Sequence, residues 1–144
     1  MTQSQKDLIL SWDDVHRASK ALARKIHGIK DWNGIVCITR GGLIPAGIIA
    51  RELEIRLIDT ICIHSYDHKE QGSARLLKYP ELEDNGANWL IIDDLSDTGK
   101  TFKLVREQFP DAYYACLYSK PQGEPCVDSF IQAVPQDTWI HFPW

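Results

Sequence analysis

The stretch Trp89–Thr101, WLIIDDLSDTGKT, sets three aspartates and a glycine-centred turn directly after an apolar run. Such a run heads into the core, where unpaired carboxylates are costly. Its length and bounds predict a strand over residues 89–93, buried on both faces. The segment that follows, TGKTFKLVREQFP, reads as a helix ended by Pro110. In open parallel sheets the ligand lies beyond the carboxyl ends of the strands, where loops lead into helices. Asp93, Asp94 and Asp97 fall at such an end.

Working outward, the rest of the chain has the same rhythm. SWDDVHRASKALARKIHG, from Ser11 to Gly28, predicts a helix capped by Ser11 with Asp14 three residues on. Val15, Ala18, Leu22 and Ile26 form its apolar stripe, and Gly28 closes it. GIVCIT (Gly34–Thr39) is a second buried strand. It leads through Arg40-Gly41-Gly42 into a helix that tolerates Pro45 near its first turn. Strands are also expected over Arg56–Tyr66, Ala112–Ser119 and Ser129–Val134, whereas Asp67–Asn88 loses all periodicity and reads as a long loop or small flap. Strands alternating with helices predict an α/β fold with a Rossmann-like, mostly parallel central sheet covered by helices on both faces. At 144 residues the chain reads as a single domain.

Composition narrows the function classes. Sixteen Lys plus Arg against twenty Asp plus Glu give a net charge of −4, which disfavours nucleic acid as a partner. No stretch approaches the roughly 20 apolar residues of a membrane span. No signal peptide is evident at the N-terminus. Cys37, Cys62, Cys116 and Cys126 lack C-x-x-C spacing and read as buried reduced thiols, so a cytoplasmic location is expected.

Two strand-end turns, one acidic and one carrying arginine with paired glycines, suit a metal-bound polyphosphate substrate. Thr98-Gly99-Lys100-Thr101 opens a helix whose free N–H groups and dipole make a phosphate cradle. Ionised carboxylates beside it can accept from vicinal sugar hydroxyls, and Mg²⁺ prefers one or two carboxylates plus substrate oxygens. TGKT also copies the end of a P-loop, but that motif needs glycine where Asp94 stands. An ordinary acidic helix cap would explain one aspartate and not three. His64 and His68 are four apart on a strand and loop, a poor setting for a metal pair.

LIIDDLSDTGKT resembles the ribose-phosphate signature of the type I phosphoribosyltransferases. TRGGLIPAGIIARELEIRLIDTICIHSYDH, SKPQGEPCVDSF and VPQDTWIHFPW extend the resemblance, in order along most of the chain, to the bacterial xanthine–guanine phosphoribosyltransferase family. The resemblance implies transfer of the phosphoribosyl group from phosphoribosyl pyrophosphate to N9 of a 6-oxopurine, dependent on Mg²⁺. The sugar phosphate would be bound by Asp93, Asp94, Leu95, Ser96, Asp97, Thr98, Gly99, Lys100 and Thr101, with Asp94 the metal ligand. Asp97 would assist proton removal from the purine N7. Arg40 and Gly41 would bind pyrophosphate beside a cis peptide, with Arg75 as the loop arginine and Lys69 and Lys78 as weaker candidates. Lys120 would donate to the purine O6, Trp139 would stack on the base, and the Ile140 backbone would read its edge. A flexible loop over about 67–88 would close on the site, and residues 119–144 would form a purine-binding hood. The family implies a homodimer or homotetramer, with Trp32 and Trp144 as interface candidates, and allows a peripheral place at the inner membrane.

Three points keep alternatives open. Lys100 stands where these relatives commonly carry glycine, and His141 replaces an acidic residue. The acidic residue expected after Pro-Trp has no counterpart, so xanthine, guanine and hypoxanthine are not ranked. A non-catalytic sensor of phosphoribosyl pyrophosphate or nucleotide on the same fold is the rival function. Taken without the resemblance, Lys120 reads as an exposed turn lysine, Trp139 packs on the core as readily as it stacks on a ligand, and Arg40 could pair with a surface carboxylate.

Overall fold

The computed structural model describes residues 6–65 and 74–144. Strand β2 (Gly34–Thr39) is the spine of a six-stranded sheet. Around it lie β3 (Ile58–Ser65), β4 (Ala74–Lys78), β5 (Trp89–Ser96), β6 (Tyr113–Ser119) and the short β7 (Gln132–Ala133), in the order β4-β3-β2-β5-β6-β7. Among the described residues only the β3–β4 pairing is antiparallel. The carboxyl ends of β2, β3, β5 and β6 therefore share one edge.

Side-chain alternation on β2 explains the layers. Ile35 and Cys37 face a core shared with α1 (Trp12–Ile26) and α2 (Leu43–Glu52). Val36 and Ile38 face Phe102 and Val105 of α3 (Lys100–Gln108) on the other side. A strand with both faces buried must be apolar throughout, as GIVCIT is. Helix α1 has the predicted capping box between Ser11 and Asp14, and Val15, Ala18, Leu22 and Ile26 are all buried. Gly28 follows at φ +77°, a left-handed turn that glycine adopts without strain. No helix among the described residues is long and apolar enough to cross a membrane.

Four elements differ from the sequence expectation. Strand β5 runs on through Asp93 and Asp94 to Ser96, because Asp93, Leu95 and Ser96 pair with Cys116, Tyr118 and Ser119 of β6. The segment after Asp67 is less irregular than expected: Ala74–Lys78 pairs with β3, and Glu83–Gly86 forms a 3-10 turn. Its residues 67–73, with His68 and Lys69, lie outside the described residues. The strand expected over Ser129–Val134 shrinks to Gln132–Ala133 plus one bridge from Ser129 to Ala115. A separate two-stranded parallel sheet, β1 (Lys6–Ile9) with β8 (Thr138–His141), was not anticipated. All four cysteines are unpaired, and Cys62 is only partly buried, unlike the other three.

Candidate active site

Asp93 and Asp94 end up inside a hydrogen-bonded strand rather than in a solvated turn. Asp93 is buried, and its Oδ1 accepts from the Asp94 backbone N–H at 2.8 Å. Burial, then the charge of Asp94, pushes the Asp93 carboxyl well above the usual carboxylate range. Burial likewise raises Asp94, although the Asp93 hydrogen bond opposes that shift. Such a pair accepts a cation readily, because a nearby positive charge relieves both the desolvation and the mutual repulsion.

The turn after β2 lies against the Asp94 carboxylate. A Cβ placed on Gly41 would come within 3.0 Å of all three carboxylate atoms of Asp94. One on Gly42 would sit 2.5 Å from the Ile92 carbonyl oxygen and 2.8 Å from that of Ile38. Paired glycines are thus what allows the two strand-end turns to touch. The Thr39–Arg40 peptide is cis, as the resemblance implies, and Arg40 is exposed at the same edge.

Gly99 stands at the N-cap of helix α3, with φ +86° and no side chain with which to cap it. Its first turn carries no carboxylate, and Thr98 Oγ1 reaches only the Lys100 N–H, at 3.4 Å. The remaining N–H groups of that turn have no partner within the helix, and the residues that carry them line a hollow of about 140 Å³ formed by residues 94–102. Larger hollows lie elsewhere, including one of about 410 Å³ between β1, α1 and β7. That hollow is lined by one carboxylate, Asp14, and by no glycine. Cys126 packs beneath Gly99 so closely that any Cβ there would collide with its sulfur.

Asp97, one residue past β5, reaches the Lys120 ammonium from Oδ2 at 3.3 Å. Lys120 is only 4% exposed, which overturns its reading as an exposed turn lysine. Its backbone N–H donates to Ser96 O at 2.9 Å, and Ser96 Oγ donates to Gly123 O at 2.9 Å. These two bonds join the acidic turn to the loop that follows β6. On the other side of Asp97, Gln136 Nε2 donates to Oδ1 at 2.8 Å. Gln136 was not anticipated. It lies 39 residues from Asp97, and only its place in PQDTW, beside Trp139, could have drawn attention to it.

Trp139 is 56% exposed on β8, which overturns its core-packing reading, while its neighbour Ile140 is buried. Strand alternation turns the indole outward and leaves the Ile140 backbone in the ladder with Leu8. Arg75 lies on β4 opposite His64, close to the carboxyl end of β3 and so at the same sheet edge. Trp32 is partly buried and packed edge-on against Tyr113 at 5.3 Å. Trp144 stacks on Phe142 and remains 42% exposed. No group of three or more His, Cys, Asp or Glu that could hold a metal occurs among the described residues.

Comparison with known proteins places the chain in a family. The phosphoribosyl transferase domain family matches residues 7–144. The xanthine-guanine phosphoribosyltransferase of Desulfotalea psychrophila is 52% identical over 143 residues, spanning 99% of this chain and 88% of that protein. That of Chromohalobacter salexigens is 50% identical over 135 residues, 94% of this chain and 82% of that protein. Among solved structures, a purine phosphoribosyltransferase from Pyrococcus horikoshii Ot3 superposes with a TM-score of 0.76 at 31% identity, covering 96% of this chain and 93% of that one. Shared sequence, fold and strand-edge chemistry agree: the chain is a type I phosphoribosyltransferase of the bacterial xanthine–guanine phosphoribosyltransferase family, a purine-salvage enzyme.

Proposed function

We propose that the enzyme transfers the 5-phosphoribosyl group of phosphoribosyl pyrophosphate to N9 of a 6-oxopurine, with xanthine, guanine and hypoxanthine as candidate bases. The observation that carries this reading is the Asp97 carboxylate, set between a buried lysine and an amide at the same edge as an uncapped helix N-terminus. A pure sugar-phosphate sensor has no use for that cluster.

In this reading the 5′-phosphate sits on the free amides of Thr98 to Thr101. Asp93 and Asp94 accept from the ribose hydroxyls, with Leu95 and Ser96 shaping the strand end. Arg40 and the Gly41 backbone hold pyrophosphate, and Arg75 is the candidate to close on it from β4. Lys120 donates to the purine O6, Trp139 covers the ring and the Ile140 backbone reads its edge. The lid of this reading is the segment 67–88, of which 67–73 lie outside the described residues and Ala74–Lys78 is held against β3, and residues 119–144 are the hood of a single domain. Water excluded in this way could not intercept the cationic sugar carbon.

Mg²⁺ fits this donor set: Asp94 is the ligand we assign, and two adjacent carboxylates at a strand end match its preference for one or two carboxylates plus substrate oxygens. When bound it would neutralise pyrophosphate as leaving group. The protein's own contribution is alignment of N9 with the sugar carbon and acceptance of the N7 proton by Asp97. A homodimer or homotetramer is part of the proposal. Exposed Leu43 and Ile44 on α2, with Leu57 and Ile58 at the start of β3, support it better than Trp32 does.

Asp97→Asn tests the reading. Turnover should fall by about 100-fold or more while phosphoribosyl pyrophosphate still binds in a calorimetric titration. A variant turning over at the wild-type rate would remove Asp97 from the chemistry.

A further inference from the structure

Gln136 makes three hydrogen bonds to two different segments of the site. Its Nε2 donates to Asp97 Oδ1 at 2.8 Å and to the Asp97 carbonyl at 3.3 Å. Its Oε1 accepts from the Gln122 backbone N–H at 3.0 Å. One amide thus bridges the acidic turn and the loop after Lys120, three residues before Trp139. The two oxygens of Asp97 are not equivalent as a result. Oδ1 is held by Gln136, and Oδ2 by Lys120 at 3.3 Å.

We propose that Gln136 is a positioning residue that fixes the Asp97 carboxylate by Oδ1 and so designates Oδ2 as the oxygen that accepts the purine proton. This inference rests on the role given to Asp97 above. An oxopurine draws the Lys120 ammonium from Oδ2 to its 6-oxygen. Asp97 then loses its cation but keeps its orientation, because the Gln136 amide has no competing demand. As the N9 lone pair bonds the sugar carbon, the bond to pyrophosphate breaks and its electron pair leaves with pyrophosphate. The N7 proton moves to Oδ2, and N7 keeps the electron pair. Without Gln136 the carboxylate can swing with Lys120 or turn to solvent, and the acceptor oxygen is lost when it is needed. The Gln122 contact has a second effect, since it registers the lysine loop and the Trp139 strand against the same carboxylate.

The test is a double-mutant cycle on the Mg²⁺-supplied enzyme with guanine saturating and phosphoribosyl pyrophosphate varied. Gln136→Leu should lower kcat by about 10- to 100-fold, the size of one hydrogen bond to a charged group, with KM for phosphoribosyl pyrophosphate changed less than about 3-fold. Gln136→Glu keeps the acceptor for Gln122 but sets a carboxylate against Asp97, and should lose at least as much. Adding Gln136→Leu to Asp97→Asn should cost less than about 3-fold, since the group it positions is already disabled. Equal losses in both backgrounds, or a Gln136→Leu kcat within about 2-fold of wild type, would overturn the assignment. If Asp97→Asn itself turned over normally, the underlying reading would fall with it, an outcome visible before any Gln136 variant is made. Melting temperatures are read in parallel, and Gln136→Met replaces Gln136→Leu should the latter not fold.

Discussion

Substituting the two glycines after β2 separates packing from function. At Gly42 an added methyl meets the backbone carbonyls of Ile92 and Ile38 at 2.5 and 2.8 Å, where ordinary contact begins at 3.4 Å. Neither oxygen can move without disturbing β5 or β2 at the centre of the sheet. Overpacking of this kind costs about 1–3 kcal/mol, roughly 2–4 °C of melting temperature per kcal/mol at this size. At Gly41 the methyl meets a side-chain carboxylate, Asp94, which can rotate aside. The cost to stability is then only that of an off-rotamer side chain, about 0.5–1.5 kcal/mol. The displaced group is the one assigned to the metal and sugar, however, and a shift of about 1 Å there costs about 100-fold in rate. Gly42→Ala should therefore show the larger loss of melting temperature. Gly41→Ala should show a nearly normal melting curve and about a 100-fold lower kcat/KM for phosphoribosyl pyrophosphate. The assays are differential scanning fluorimetry and initial rates at saturating purine. A Gly41→Ala enzyme with near wild-type kcat/KM would refute the reasoning, as would a Gly42→Ala protein as stable as wild type.

The other predictions concern the carboxylates and the base pocket. Because Asp93 and Asp94 are raised in the folded state, that state binds more protons than the unfolded chain above the ordinary carboxylate pKa. Their ionisation therefore lowers stability as pH rises from about 4 through their raised values. Asp94→Asn should raise the melting temperature at pH 7, with no comparable gain at pH 3, while losing Mg²⁺-dependent turnover. Failure to stabilise at pH 7 would contradict the electrostatic account. Lys120→Met should lower kcat/KM for oxopurines by about 10- to 100-fold through loss of a charge-assisted hydrogen bond, with phosphoribosyl pyrophosphate binding retained in calorimetry. Trp139→Ala should raise the purine KM by about 5- to 100-fold, in line with about 1–3 kcal/mol for stacking on a base. It should leave the melting temperature nearly unchanged, since the indole is 56% exposed.

What the sequence made legible follows locality. The capping box of α1 involves residues three apart, and the β2 core strand is a continuous apolar run, so both could be read directly. The acidic turn was legible because aspartates so close to a buried strand are chemically expensive. Strand β5 was cut short for the same reason: carboxylates argue against a strand, and only pairing with β6 carries it to Ser96. Strands β1 and β8 stand more than 120 residues apart and are too short for a period to show, so neither announces the other. Gln136 was missed on similar grounds, since a polar residue between Pro135 and Asp137 looks like surface until the fold brings it to Asp97. The burial of Lys120 could not be read from the sequence, since a lysine before a proline looks like an exposed turn until the fold brings it beside Asp97.

The most direct test of the central claim is nucleotide formation from phosphoribosyl pyrophosphate with xanthine, guanine, hypoxanthine or adenine, each with Mg²⁺ and with a chelator. The account predicts Mg²⁺-dependent nucleoside monophosphate and pyrophosphate from at least one 6-oxopurine, and none from adenine, which offers Lys120 no 6-oxygen. Product from adenine alone, or undiminished turnover in chelator, would contradict it.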